Sequence, residues 1–301
     1  MLLDANTNYE NIMKPLFFKS KSLLIITFLL LFLSNKSALA QLTGDSWANA
    51  ERTKSGIITI SYFETPGVVY KNSGNKLDGI CIDILREFVN YIKVKKGISL
   101  KVNLQKKTDD FSLFLNNIKT GKGGVFGLAP LSITQERKNI MTFTPAYMGN
   151  LSVLISHSSV QDLTGMVDIS TAFKGMKAYS LKNSTVDIEI QEIKKKYYPD
   201  LQIVYVSSAA DLINRTLEDP KSFTKTDFLY YAAASRERRP VKKHDEGSVK
   251  AEPFGIVMPK GCDWEGVWSI FLEEFKQKPA YEKSLVKHLG YNATKMIIGL
   301  K

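Results

Sequence analysis

At 301 residues, 44% of them hydrophobic and 24% charged, the chain is long enough for one large or two medium domains with an ample core. The composition excludes a disordered or low-complexity protein, and no repeat of solenoid length is present. A formal charge of +11 suits a lysine-rich solvated surface, with attraction to anionic ligands or an anionic membrane surface as the alternative.

The first 40 residues read as a secretory signal. Lys14, Lys19 and Lys21 precede an apolar run over residues 23–33, and Ala38-Leu39-Ala40 before Gln41 forms a small-residue cleavage site. The run is short for a bilayer span, no cysteine stands at the cleavage point to carry a lipid, and either Met1 or Met13 serves as the start. Without these residues the charge is about +9. The mature protein is expected to be periplasmic or secreted and soluble.

Residues 56–62 alternate as a strand, followed by a Pro66-Gly67 loop and a polar hairpin or loop over 71–79. Ile82, Leu85, Phe88, Val89 and Ile92 then recur at helical spacing. A strand at 100–104, a helix at 111–118 and a strand at 125–129 complete an α/β series. The segment 143–147 reads as irregular and 151–156 as a strand. A second series follows: strand 176–180, turn Asn183-Ser184-Thr185, helix 186–196, strand 202–206, helix 208–217 and strand 227–231. Ser184 with Asp187 has the form of a capping box. A charged loop over 236–246, with Glu237, Asp245 and Glu246 among its basic residues, suits a solvated surface better than nucleic acid. A strand at 254–258 and helices at 264–275 and 279–288 end the chain, and Trp264, Trp268, Phe271 and Phe275 form a core stripe.

The chemistry concentrates at residues 125–137. A buried strand empties through Ala129-Pro130-Leu131-Ser132 into a helix capped by Thr134, with Glu136 in its first turn. The Pro130 carbonyl accepts, Ser132 donates or accepts, and Arg137 offers a planar fork to a carboxylate. With a second capped helix start at Ser184, two α/β units joined by two strands imply two lobes around an anion-binding cleft. Catalytic signals are weak. His157, His244 and His288 lack metal-ligand spacing, Thr120-Gly121-Lys122-Gly123-Gly124 lacks the pattern of a phosphate loop, and no nucleophile elbow is present. No cofactor or metal is expected. Cys81 and Cys262 leave a single disulfide open.

The ordered segments Glu64-Thr65-Pro66, Asp78-Gly79-Ile80-Cys81-Ile82-Asp83, Ala129-Pro130-Leu131-Ser132-Ile133-Thr134 with Arg137, Phe143-Thr144-Pro145-Ala146-Tyr147, Asn183-Ser184-Thr185 and Phe254-Gly255-Ile256 resemble the family 3 extracellular solute-binding proteins. They are equally similar to the ligand-binding core of ionotropic glutamate receptors. The resemblance implies a type II periplasmic-binding fold, with lobe 1 at 41–150 and 252–301, lobe 2 at 151–251, and two crossing strands between them. It implies a non-enzymatic, monomeric protein that captures a small carboxylated solute, most naturally an amino acid, and delivers it to a membrane permease of the ABC type. No nucleic-acid partner is implied. Arg137 would hold the ligand's carboxylate beside Ser132, the Pro130 carbonyl would accept from its ammonium, and Asn183, Ser184 and Thr185 would close from the other lobe, with Tyr231 nearby. The family's acidic residue, five positions into the strand read as starting at Asp227, falls here on Ala232. Gly67 stands where an aromatic shelf is common, with Tyr70 three residues on. Either Glu64 supplies the missing charge or the ligand lacks an α-amino group. A dehydratase-like enzyme using Glu64 as acid or base, and a sensor subunit, are the alternative functions.

Overall fold

The computed structural model describes residues 41–105, 107–108 and 110–298, so the leader read at residues 1–40 lies outside the described residues. Among the described residues, nine strands form one sheet in the order β4-β1-β5-β11-β7-β10-β8-β9, with β6 paired to β11. The first half holds α1 (Trp47–Thr53), β1 (Ser55–Tyr62), β2 (Tyr70–Lys71), β3 (Leu77–Asp78), α2 (Ile80–Lys96), β4 (Ser99–Leu104), α3 (Phe111–Thr120), β5 (Val125–Ser132), α4 (Gln135–Ile140) and β6 (Met141–Phe143). After β7 (Met148–His157) come α5 (Ile169–Ala172), β8 (Lys177–Leu181), α6 (Thr185–Lys196), β9 (Gln202–Val206), α7 (Ala209–Glu218), β10 (Ser222–Asp227) and α8 (Phe228–Arg236). The chain returns along β11 (Val241–Pro259) to α9 (Glu265–Lys276), α10 (Pro279–Leu289) and α11 (Tyr291–Ile298).

The two halves are each α/β with parallel pairs, β1 with β4 and β5 on one side, β8 with β9 and β10 on the other. The antiparallel pair β7 and β11 runs through both, with Leu151 opposite Lys250 and Asn150 opposite Ala251. Beyond that point β11 pairs with the end of β5, Phe254 opposite Ser132.

Helix α2 shows how local sequence sets this up. Gly79 precedes it at φ +124°, where an added Cβ would lie 2.3 Å from the Val68 carbonyl oxygen, so only glycine lets the chain pass from β3 into α2 this close to the Val68 backbone. Its apolar residues Ile80, Ile84, Phe88 and Ile92 are fully buried. Phe88 stacks on Trp268 of α9 with centroids 3.6 Å apart, and Trp264, Phe271 and Phe275 extend the expected stripe into this core. A hydrogen-bonded cluster anchors α10 to the same half: Asp83 accepts from Ser284 at 2.9 Å and lies 2.8 Å from His288 Nε2, while the Tyr70 hydroxyl lies 2.9 Å from His288 Nδ1. The second half has its own core, including Leu154, Ile169, Phe173, Ile190 and Phe223.

Four sequence expectations need correction. Strand β5 extends through Pro130 to Ser132, so Pro130 sits in the ladder and not in an irregular turn. Segment 227–231 is not a strand: β10 ends at Asp227, and Phe228 opens a helix carried by Ala232, Ala233 and Ala234. Residues 236–246 are not all loop, since β11 begins at Val241 and pairs with β7. Phe143 belongs to β6, so 143–147 is only partly irregular. Cys81 and Cys262 are both buried free thiols. Burial pushes the Cys81 thiol up to about 12, and Cys262 donates to the Gly123 carbonyl at 3.3 Å.

Candidate ligand-binding site

The end of β5 and the start of α4 build one wall of a chamber. Thr134 caps α4 by accepting from the Arg137 amide at 3.2 Å, which fixes the turn that aims the Arg137 side chain back at the strand. There its Nη1 donates to the Ser132 carbonyl at 3.1 Å, and its guanidinium lies over the Phe111 ring at 5.9 Å. Burial pulls Arg137 below the ordinary guanidinium range, against the nearby charges of Asp227 and Glu136. One of five N–H donors is spent on Ser132, and the fork remains available to an anion.

The facing wall comes from the second half. Ser184 caps α6, accepting from the Asp187 amide at 3.3 Å and donating to the Leu181 carbonyl at 2.6 Å. Its proton is therefore committed to the helix start, and Thr185 and Val186 of the first turn of α6 line the chamber beside it. Asp227, the last residue of β10, accepts from the Asn150 amide group at 2.6 Å. Desolvation raises its carboxyl to about 6, with Asn150 and Arg137 pulling the other way.

Pro130, Ser132, Arg137, Ser184, Thr185, Asp227 and Tyr230 thus line one chamber of about 50 Å³. It is closed on one side by the Thr65 and Tyr230 hydroxyls, 3.2 Å apart. The chamber has space for a water or two, too little for an amino acid. Three expected site residues lie elsewhere. Asn183 is exposed at φ +64° and lines an outer groove with Arg137 and Glu136. Tyr231 packs on the core, its ring 5.9 Å from Phe228, and Tyr230 takes the position beside the chamber. Glu64 turns into a second, neighbouring cavity of about 760 Å³, paired with Lys107 at 3.1 Å, while its Oε1 is buried without a hydrogen bond.

The residue that the sequence reading overlooked is Asp227. The expected acid stands five positions into its strand, but that strand starts at Ser222 and not at Asp227. Counted from Ser222, the position is Asp227 itself. The polar string Ser222-Phe223-Thr224-Lys225-Thr226-Asp227 concealed the strand, because Thr224 and Lys225 are buried there against partners far away in the chain, Tyr179 and Glu189.

Two α/β halves threaded by an antiparallel strand pair, with a charged chamber between them, define the two-lobed fold of the periplasmic solute-binding proteins. Solved structures agree. A substrate-binding protein of an ABC uptake transporter from Streptococcus pneumoniae, with bound histidine, superimposes at TM-score 0.66 and 17% identity, covering 82% of this chain and 97% of the other. An ancestral arginine-binding protein bound to glutamine gives 0.64 at 19% identity, covering 78% of this chain and 98% of that one. The GluR0 ligand-binding core from Nostoc punctiforme, in complex with L-glutamate, gives 0.60 at 16%, covering 78% and 100%. No protein-family model and no curated protein matches the sequence. At these identities the likeness is one of fold. No helix among the described residues is long and apolar enough to cross a membrane.

Proposed function

We propose that this chain is an exported amino-acid-binding protein that captures its ligand by lobe closure and hands it to a membrane permease. The observation that supports this most is that Arg137 from the first turn of α4 and Asp227 from the end of β10, a cation and an acid, line one chamber. The carboxylate of the ligand takes the Arg137 fork together with the α6 amides and Thr185, and its ammonium takes Asp227 and the Pro130 carbonyl. An α-amino group meets an acid here, so Glu64 is not needed for that charge.

In this reading lobe 1 comprises 41–150 and 252–301 and lobe 2 comprises 151–251. The ligand first meets Arg137, and lobe 2 then turns on β7 and β11 near the Leu151–Lys250 and Asn150–Ala251 pairs. The leader at 1–40 is removed after Ala40, and the mature protein acts as a monomer in the periplasm or medium.

Mass spectrometry of the ligand that copurifies with the protein, followed by calorimetry with a panel of amino acids, tests the proposal. Tight binding of an unmodified amino acid is the expected result. Binding of succinate-like acids with no amino acid bound refutes the amino-acid reading. A ligand that elutes converted replaces it with the dehydratase-like one.

A further inference from the structure

The cavity of about 760 Å³ adjoins the Arg137 chamber through Phe63, Thr65, Ala209 and Tyr230, which line both. A single amino acid does not need that volume, which is on the scale of a much larger ligand. Its charge is uneven. Glu64 is neutralised by Lys107 at 3.1 Å, and Lys287 by Asp78 at 3.1 Å. Lys71, Arg236 and Arg239 also line it and form no ion pair among the described residues. Arg236 reaches only the His288 carbonyl at 3.4 Å, and Arg239 the Asn214 side-chain oxygen at 2.9 Å. Against these three cations stands Glu237, which likewise forms no ion pair among the described residues. A concave, partly apolar wall with surplus positive charge concentrates the field on whatever enters.

We infer that this cavity is a distal subsite for an anionic group, so that the ligand is an amino acid with a long side chain or γ-linked extension ending in a carboxylate. The inference rests on the proposed function, because the α-amino and α-carboxyl groups are taken to sit at Asp227 and Arg137. The tail then passes between Thr65 and Tyr230, which must part, and its methylenes run along Ile213 and Ala233. The terminal carboxylate meets Lys71 from one lobe, and Arg236 and Arg239 from the other. Contacts from both lobes make the distal anion a second force for closure.

Calorimetry at low ionic strength with L-2-aminopimelate, γ-L-glutamylglycine, L-norleucine and L-lysine tests it. The two diacids are expected to bind at least about tenfold more tightly than the other two, a difference of about 1.4 kcal/mol, and to lose most of that advantage in 0.5 M salt. The double variant Lys71→Gln, Arg239→Gln should remove the advantage while leaving the melting temperature and norleucine binding unchanged. Arg137→Ala should weaken all four. Norleucine or lysine binding as tightly as the diacids, with Arg137→Ala still weakening both, overturns the distal subsite and leaves the proposed function standing. Binding of none of the four to the wild-type protein overturns the distal subsite, and the proposed function falls with it only if no amino acid of the wider panel binds.

Discussion

Arg137 and Asp227 make opposite demands on the protein. Arg137 has the Ser132 carbonyl and the Phe111 ring as partners. Its truncation to alanine should cost ligand binding about 1.5–3 kcal/mol or more, since the ligand's carboxylate then loses a charge-assisted partner in a desolvated place. Titration calorimetry reads this directly, and unchanged affinity refutes the site. Asp227 instead costs the fold stability, because its carboxyl is desolvated. Desolvation raises its carboxyl to about 6 from an ordinary value of 3.8, so the folded protein binds a proton more readily than the unfolded chain between those two pH values. Ligand-free stability attributable to this group therefore falls as pH rises through that window, by a total on the order of 3 kcal/mol above pH 6. Asp227→Asn should raise the ligand-free melting temperature at pH 7.5 and weaken binding of any ligand with an α-ammonium. Affinity of the wild-type protein for that ligand should fall by up to about tenfold per pH unit as pH drops below 6. A flat affinity profile from pH 7 to 5 would contradict the role of Asp227.

At the scale of the element, the helix starts do the work of local sequence. The Ser184 hydroxyl both accepts from Asp187 and donates to Leu181, so it holds α6 and has no proton left to donate to a ligand's carboxylate. Ser184→Ala should cost about 1 kcal/mol of stability, a typical loss for a missing cap, with a small change in affinity. Thr185→Ala should show the reverse, little change in melting temperature and a clear loss of affinity, because its side chain borders the chamber. Thermal melts and calorimetry on the two variants separate the roles. Both caps were readable from the chain, since a serine or threonine three residues before the amide it accepts is a local pattern. Strand β10 was not. Its Thr224, Lys225 and Thr226 are buried polar residues, and Thr224 is satisfied by the Tyr179 carbonyl, 45 residues away in the chain, while Lys225 pairs with Glu189 at 3.1 Å. A polar string becomes a central strand only when such partners surround it.

For the whole molecule, the last helices are fastened to the first half of the fold through α2. The stacked Phe88–Trp268 pair joins α2 to α9, and the Asp83–Ser284–His288 cluster joins α2 to α10. Burial, which alone would raise the Asp83 carboxyl, is outweighed by hydrogen bonds from His288 and Ser284, and the group sits below its ordinary range. Trp268→Ala should destabilise the protein by about 3–5 kcal/mol, measured by denaturant unfolding, with no effect on which ligand is preferred. In the proposed reading the ligand acts on the other axis, across the lobes. At about a hundred times its dissociation constant it should add about 2.7 kcal/mol of stability, read as a rise in melting temperature. That rise should vanish in Arg137→Ala.

By itself the sequence determined the alternation of strands and helices, the core stripe from Trp264 to Phe275, the capped helix starts and the place of Arg137. These depend on periodicity and on contacts within a turn or two, which the chain carries locally. Only the tertiary structure decided that β10 begins at Ser222, that Asp227 and not Glu64 faces Arg137, and that Tyr230 rather than Tyr231 borders the chamber. Each of those depends on which distant groups surround a side chain, because distant partners satisfy a buried polar strand and desolvation by distant elements sets the cost of a carboxylate.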